Sequence, residues 1–310
     1  MSNQLETPPF IWFNGEIRHW ENAKIHIWTE VAIRGTNVFE GIKAYWEEEN
    51  NCYKILSLND HLKRLFESAK MLKFSNGFNY DEIKEGIFEL LKKLNYKQDT
   101  YIRPTLYVEH GKYSESTNVG AYIVAFPSNK NLEDIKGLNC CVSSWRRADD
   151  LVISPRIKTG AAYSSFRLPK LEAVENGFDD AILLNNRNTV AEATGSAVIM
   201  IKNNILYTVP NYAGVLESIT VKHISKIAEE VLKIKVVEKE ILRSQLYTAD
   251  EVFLCGTLNE IEPVLSIDGI KIDKGEIGIL TKRIYSEYLK AMLEEQYSTN
   301  NVTKLKLEKG

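Results

Sequence analysis

Apolar residues in the first third of the chain fall into two kinds of spacing. Around Ile11–Trp20 (IWFNGEIRHW) short apolar runs flank Asn14-Gly15, a pair that accepts positive φ at both centres of a tight turn, which predicts a hairpin. Leu58, Leu62, Leu65, Phe66, Ala69 and Leu72 recur every three or four residues, so Leu58–Leu72 is expected to be a helix capped by Ser57 or Asn59. Ile83, Ile87, Leu90, Leu91 and Leu94 predict a second helix, with Asp81 near its start. TYIRPTLYVEHG and GAYIVAFP read as strands joined by a Ser/Glu/Asn-rich loop. Strands with two helices on one side imply a small N-terminal α+β domain over 1–127.

The polar stretch 128–137 (SNKNLEDIKG) reads as an interdomain linker. Beyond it LNCCVSSW, DAILLN, AVIMIKNNILYTV and EVFLC are strand-like. Helices are expected at Leu168–Asn176, with Pro169 in its opening turn, at Ser218–Leu232 and at Gly275–Glu295. Residues 138–310 are therefore a larger α/β domain around a largely buried sheet, whose strand order the pattern leaves open. The final STNNVTKLKLEKG is polar and charged and is expected to fray.

Length supports the division: 310 residues exceed the ~250–300 at which one hydrophobic core stops growing. With 44% hydrophobic and 26% charged residues the chain is not of the disordered class. Lys plus Arg number 39 against 42 Asp plus Glu, a net charge of -3, which lacks the basic excess of a nucleic-acid binder. No run reaches the ~18 apolar residues of a membrane span, and the first residues lack the basic-then-apolar order of a secretory signal. Adjacent Cys140 and Cys141 on a strand point to opposite faces, so with Cys52 and Cys255 they are expected to be buried thiols in a reducing cytosol. The five histidines show no metal-ligand spacing, so no metal is expected. GxGxxG, GxxxxGK[ST] and GxSxG are all missing.

Four local signals carry candidate chemistry. Lys158 lies among small residues in SPRIKTGAAYSS, outside any charged amphipathic face. Glu192 follows the apolar AILLN strand and a polar turn. Ser218, Ile219 and Thr220 open a helix whose free N–H groups and positive dipole end suit a phosphate. Gly256-Thr257, at a strand end, offers a further N–H and a hydroxyl. Taken singly these are a surface lysine, a turn glutamate and a helix cap, and none alone supports a function.

Together with IWFNGEIRHWENAKIHIW, GTNVFEGIKAY, HLKRLFESAKML, YIRPTLYV, VSSWRRA, IKTGAAYSS and EVFLCGTLNEIEPV, in that order, they carry a resemblance. The chain resembles the branched-chain-amino-acid aminotransferases, class IV pyridoxal-phosphate-dependent enzymes with the D-amino-acid-aminotransferase-like fold (fold type IV), from Ile11 to about Tyr288. The resemblance implies that Lys158 forms the imine with pyridoxal 5'-phosphate and shuttles the proton between Cα and C4′. It implies that Glu192 pairs with the ring nitrogen, that Tyr163 bonds the phenolic oxygen, and that Arg64, Ile219, Thr220 and Thr257 hold the phosphate. Substrate contacts are implied at Arg34, Phe39, Gly41, Tyr101, Arg103, Leu258 and Asn259. An amine able to form an imine, a carboxylate and a helix end agree with that chemistry. A homodimer acting on an amino acid and a 2-oxo acid, with no nucleic acid or membrane partner, is also implied.

Arg64 falls on the polar side of its helix, where a solvated arginine is the ordinary reading. Tyr101 and Arg103 alternate onto one strand face, and an arginine in an apolar strand needs a partner: a substrate carboxylate, or a structural ion pair. The family pattern has a tyrosine where this chain has Arg34, E-G-x-G-E-N where it reads Glu192–Ala197, and two small residues where it has Leu258-Asn259; Glu109-His110 also departs from it. Arg34 either favours, with Arg103, a substrate with an additional polar or carboxylate group, or turns outward or pairs with Glu40 or Glu109. Transfer from leucine, isoleucine or valine to 2-oxoglutarate is the leading expectation. The alternatives are a polar, acidic, D-amino-acid or (R)-amine substrate, an aminodeoxychorismate-lyase-like elimination, or a cofactor-free binding scaffold.

Overall fold

The computed structural model describes residues 7–75, 77–110, 118–130, 135–293 and 301–307. The chain divides into two compact units, one of residues 1–129, 157–161 and 292–310, the other of 130–156 and 162–291. Within the segment read as a linker, residues 131–134 lie outside the described residues, as does the Ser/Glu/Asn-rich loop at 111–117.

The first unit is built on strands β1 (Phe10–Phe13), β2 (Glu16–His19), β3 (Asn37–Phe39), β4 (Ile42–Glu47), β5 (Cys52–Leu56), β6 (Thr100–His110) and β7 (Asn118–Pro127), with helices α1 (Glu30–Arg34), α2 (Leu58–Met71) and α3 (Tyr80–Leu94). The β1–β2 turn is the expected Asn14-Gly15, with φ of 48° and 96°. Every pairing is antiparallel, and α2 and α3 place Leu62, Leu65, Ile87 and Leu91 against Ile42, Ile55, Ile102 and Ile123 in one core. Neither expected residue caps α2. Ser57 has φ 49° and makes no capping bond, its N–H going to the Asn301 carbonyl, while Asn59 accepts from the Tyr80 hydroxyl. The cap of α3 is Asn79, in a reciprocal box with Glu82, and Asp81 lies in the first turn as expected.

The chain end also departs from expectation. Val302–Lys306 pairs antiparallel with β5 at the edge of this sheet, and Leu305 and Leu307 are buried while Lys304 and Lys306 face solvent. The two-residue alternation in KLKL is a half-buried strand signal that overall polarity conceals.

The second unit carries β8 (Leu138–Arg146), α4 (Gly160–Ser164, which begins in the first unit), α5 (Arg167–Glu175), β9 (Asp180–Leu184), β10 (Val190–Ala193), β11 (Ala197–Lys202), β12 (Ile205–Thr208), α6 (Ile219–Lys226), β13 (Lys235–Glu238), α7 (Arg243–Leu246), β14 (Glu251–Gly256), β15 (Glu260–Ile267), β16 (Ile270–Lys271) and α8 (Ile279–Leu293); the terminal strand above is β17. The run AVIMIKNNILYTV is a hairpin, because Asn203 and Asn204 both take positive φ. Its sheet runs β10-β9-β8-β15-β14-β11-β12-β13, and a further β10–β11 pairing at Glu192↔Ala197 closes the first six strands into a ring. Cys140 and Cys141 do face opposite sides, and all four cysteines are buried and unpaired. Among the described residues no helix is long and apolar enough to cross a membrane.

Candidate active site

In the first unit, α2 buries a stripe that is not wholly apolar. His61, Arg64 and Ser68 are interleaved with Leu58, Leu62 and Leu65. Arg64 is not a solvated arginine: its side chain is 13% exposed, and Nε and Nη2 donate to Glu40 at 2.6 and 2.8 Å. His61 Nδ1 meets the same carboxylate at 2.8 Å. Burial pushes the Glu40 carboxyl up, but the Arg64 guanidinium and the His61 contact outweigh it and hold the group far below the usual range. Burial lowers the pKa of His61, against the opposing pull of the Glu40 carboxylate.

The strand before Glu40 delivers Phe39, whose ring lies 5.1 Å from Lys158 Nζ and 3.7 Å from the Arg103 guanidinium carbon. The Lys158 backbone is pinned on both sides. Its carbonyl accepts from Phe39 N–H at 3.0 Å, its N–H donates to Ser68 Oγ at 3.2 Å, and Gly160 N–H donates to Asn37 Oδ1 at 2.9 Å. Among the described residues no carboxylate pairs with Arg103, so the structural ion pair does not occur and the face of Phe39 supports the cation instead. Tyr101 lies against Gly41, where an added Cβ would sit 2.3 Å from its hydroxyl. Arg34 lies on α1 and ion-pairs with Glu30 at 2.6 Å, one helical turn away, rather than with Glu40 or Glu109.

In the second unit, Glu192 sits where the strand ring closes and is buried. Arg147 Nε donates to it at 2.5 Å and the Leu216 N–H at 3.4 Å. The Arg147 guanidinium lies 4.9 Å from the Phe166 ring, and Phe166 meets Tyr163 edge-on at 5.3 Å, so Tyr163 and Glu192 are tied together through Phe166 and Arg147. At the start of α6, Ser218 Oγ accepts the Val221 N–H at 3.2 Å, which leaves the Ile219 and Thr220 amides without helical acceptors. Thr257, Leu258 and Asn259 form the β14–β15 turn. It is held by Lys130 Nζ on the Asn259 carbonyl and by buried Glu260, at φ 53°, which accepts from the Tyr285 hydroxyl at 2.5 Å.

Each unit thus assembles its own set: Lys158, Arg64, Phe39, Gly41, Tyr101 and Arg103 in the first, and Glu192, Tyr163, Ile219, Thr220 and Thr257 in the second. Glu40, His61, Ser68 and Arg147 were not among the residues expected from sequence. The first three had a readable signal, polar residues placed in an apolar strand or on the buried stripe of a helix. Arg147 lay unmarked beside Arg146 in WRRA. A primary amine, a buried carboxylate, open helix-start amides and hydroxyls fit a phosphorylated pyridine aldehyde such as pyridoxal phosphate.

Comparison with known proteins agrees. The amino-transferase class IV family model matches residues 37–267. The chain is 39% identical over 288 residues to the probable branched-chain-amino-acid aminotransferase of Aquifex aeolicus (strain VF5), spanning 91% of this chain and 92% of that protein. It is 36% identical over 288 residues to the branched-chain-amino-acid aminotransferase of Escherichia coli (strain K12), spanning 90% and 91%. The crystal structure of the branched-chain amino acid aminotransferase from Thermobaculum terrenum in its PLP form matches with a TM-score of 0.91 at 35% identity, over 97% of this chain and 100% of that one. The chain therefore belongs to the class IV aminotransferases, pyridoxal-phosphate enzymes of fold type IV.

Proposed function

We propose that the protein transfers the amino group of an L-amino acid, with leucine, isoleucine and valine as donors, to 2-oxoglutarate in a ping-pong cycle. The reading is carried by Arg103, a cation stacked on Phe39 with no carboxylate against it among the described residues, beside Tyr101 and on the same ring that Lys158 approaches. It suits a substrate carboxylate. The branched-chain assignment follows the similarity to proteins of that name at 36–39% identity. The ion pair of Arg34 with Glu30 weighs against a donor with a second carboxylate.

Pyridoxal phosphate, when bound, supplies the carbonyl that carries the amino group and the ring that draws off electrons as the substrate Cα proton leaves. Lys158 Nζ would move that proton between Cα and C4′. Glu192, held in place by Arg147, would bind the protonated ring nitrogen. Tyr163 donates to the ring oxygen. Arg64, the amides of Ile219 and Thr220 and the hydroxyls of Thr220 and Thr257 bind the phosphate, while Gly41, Leu258 and Asn259 shape the substrate side. We also propose a cytoplasmic homodimer. The four unpaired buried thiols suit a reducing compartment, and neighbouring Ile27 and Trp28, 81% and 77% exposed, form an apolar pair suited to a second copy.

The test is a single half-reaction. The loaded protein is mixed with individual L- and D-amino acids, and loss of the cofactor's visible absorbance is followed. Fast conversion with leucine, isoleucine and valine, abolished in Lys158→Ala, is expected. Conversion only with acidic, polar or D-amino acids refutes the donor assignment, and Lys158→Ala with parental rates refutes the catalytic role.

A further inference from the structure

Glu40 is an unusual residue to find with no exposure at all. Its carboxylate accepts four bonds: Arg64 Nε at 2.6 Å, Arg64 Nη2 at 2.8 Å, His61 Nδ1 at 2.8 Å and its neighbour Gly41 N–H at 3.3 Å. The backbone beneath is equally fixed, because Glu40 N–H donates to the Pro104 carbonyl and Phe39 N–H to the Lys158 carbonyl, each at 3.0 Å. A buried ion pair is a poor device for stability alone, since apolar residues of similar volume serve as well or better. Its distinctive product is geometry. Two donors on one edge of the guanidinium held by one carboxylate fix the plane and direction of a side chain that otherwise has many rotamers.

We infer that Glu40, braced by His61, is a positioning residue for Arg64, setting the orientation in which that guanidinium meets the phosphate of pyridoxal phosphate. The inference rests on the reading of Arg64 as a phosphate ligand. It makes a claim that a charge argument does not. Glu40 offsets the charge of Arg64, so on electrostatics alone its neutralisation strengthens phosphate binding, whereas loss of positioning weakens it.

The test compares pyridoxal phosphate with pyridoxal, which offers the same carbonyl to Lys158 without the phosphate. Dissociation constants of both are measured by equilibrium dialysis on the apoproteins of the parent, Glu40→Gln, Arg64→Gln and the double variant. The ratio of the pyridoxal constant to the pyridoxal phosphate constant isolates the phosphate. Glu40→Gln is expected to lower that ratio about ten- to a hundred-fold with pyridoxal affinity unchanged, and the double variant to be no worse than Arg64→Gln, since Glu40 acts only through Arg64. An unchanged or raised ratio in Glu40→Gln, with a fall in Arg64→Gln, overturns the positioning role while keeping Arg64 as the ligand. An unchanged ratio in Arg64→Gln overturns both. Should Glu40→Gln fail to fold, His61→Gln decides the matter: it keeps the carboxylate but removes one brace, and must lower the same ratio by a smaller factor.

Discussion

Replacing Arg147 by methionine keeps its bulk against Phe166 and removes the charge that faces Glu192. The Arg147 and Glu192 side chains are only 3% and 8% exposed, so solvent screens their interaction little. Deleting one member of a buried ion pair costs about 3–5 kcal/mol. At about 2–4 °C per kcal/mol for domains of ~150–250 residues, the apoprotein should lose roughly 6–20 °C of melting temperature. Apoprotein is needed because bound cofactor adds its own stabilisation. Melts of the apoproteins by near-ultraviolet circular dichroism at neutral pH measure the loss. Arg147→Met/Glu192→Leu, which removes both charges, should regain most of the loss. Additive effects, or a drop of under about 3 °C, would show that Arg147 and Glu192 are not a coupled buried pair.

Gly86 lies inside α3, where alanine ordinarily gains about 1 kcal/mol, yet its Cβ would sit 2.6 Å from Trp12 Cε2. Overpacking costs about 1–3 kcal/mol, so Gly86→Ala is expected to melt lower; a rise in melting temperature contradicts the packing. Leu305→Ala should cost about 2–3 kcal/mol by urea titration if β17 belongs to the folded sheet, and nothing measurable if the chain end frays. Glu47 is held down to about 2 by its hydrogen bond from Lys54. Its contribution is complete above about pH 4.5 and is lost as pH falls toward 2, so Glu47→Gln should melt below the parent at pH 6 and converge with it near pH 2.5. A pH-independent gap argues against the pair.

What could be read from the chain was whatever repeats locally. The Asn14-Gly15 turn, the stripes of α2 and α3, the edge-to-edge apolar runs of β6 and β7 and the Ser218 cap depend on residues within a turn or two of one another. Lys158 and Glu192 stood out because their settings, small residues around one and a strand end before the other, are local as well, although singly neither carried a function. The C-terminal strand was misread for a different reason. Its two-residue alternation is present, but five residues of strand are stable only against an open edge, and only the sheet shows that β5 offers one.

The charged partners were beyond any local pattern. Glu40 and Arg64 are 24 positions apart and Arg147 and Glu192 45 apart, and charge pairing depends on which side chains strand register and helix packing bring within about 3 Å. The sequence alone determined the kind of chemistry available: an amine, carboxylates, a helix end and a family of enzymes that uses them. Tertiary structure decided which charges are spent on one another. Arg34 is drawn to Glu30 and Arg64 to Glu40, while Arg103 rests on an aromatic face with no carboxylate against it among the described residues. The physical reason is that burying a charge is costly unless it is matched, and the match is set by the fold, not by the order of residues.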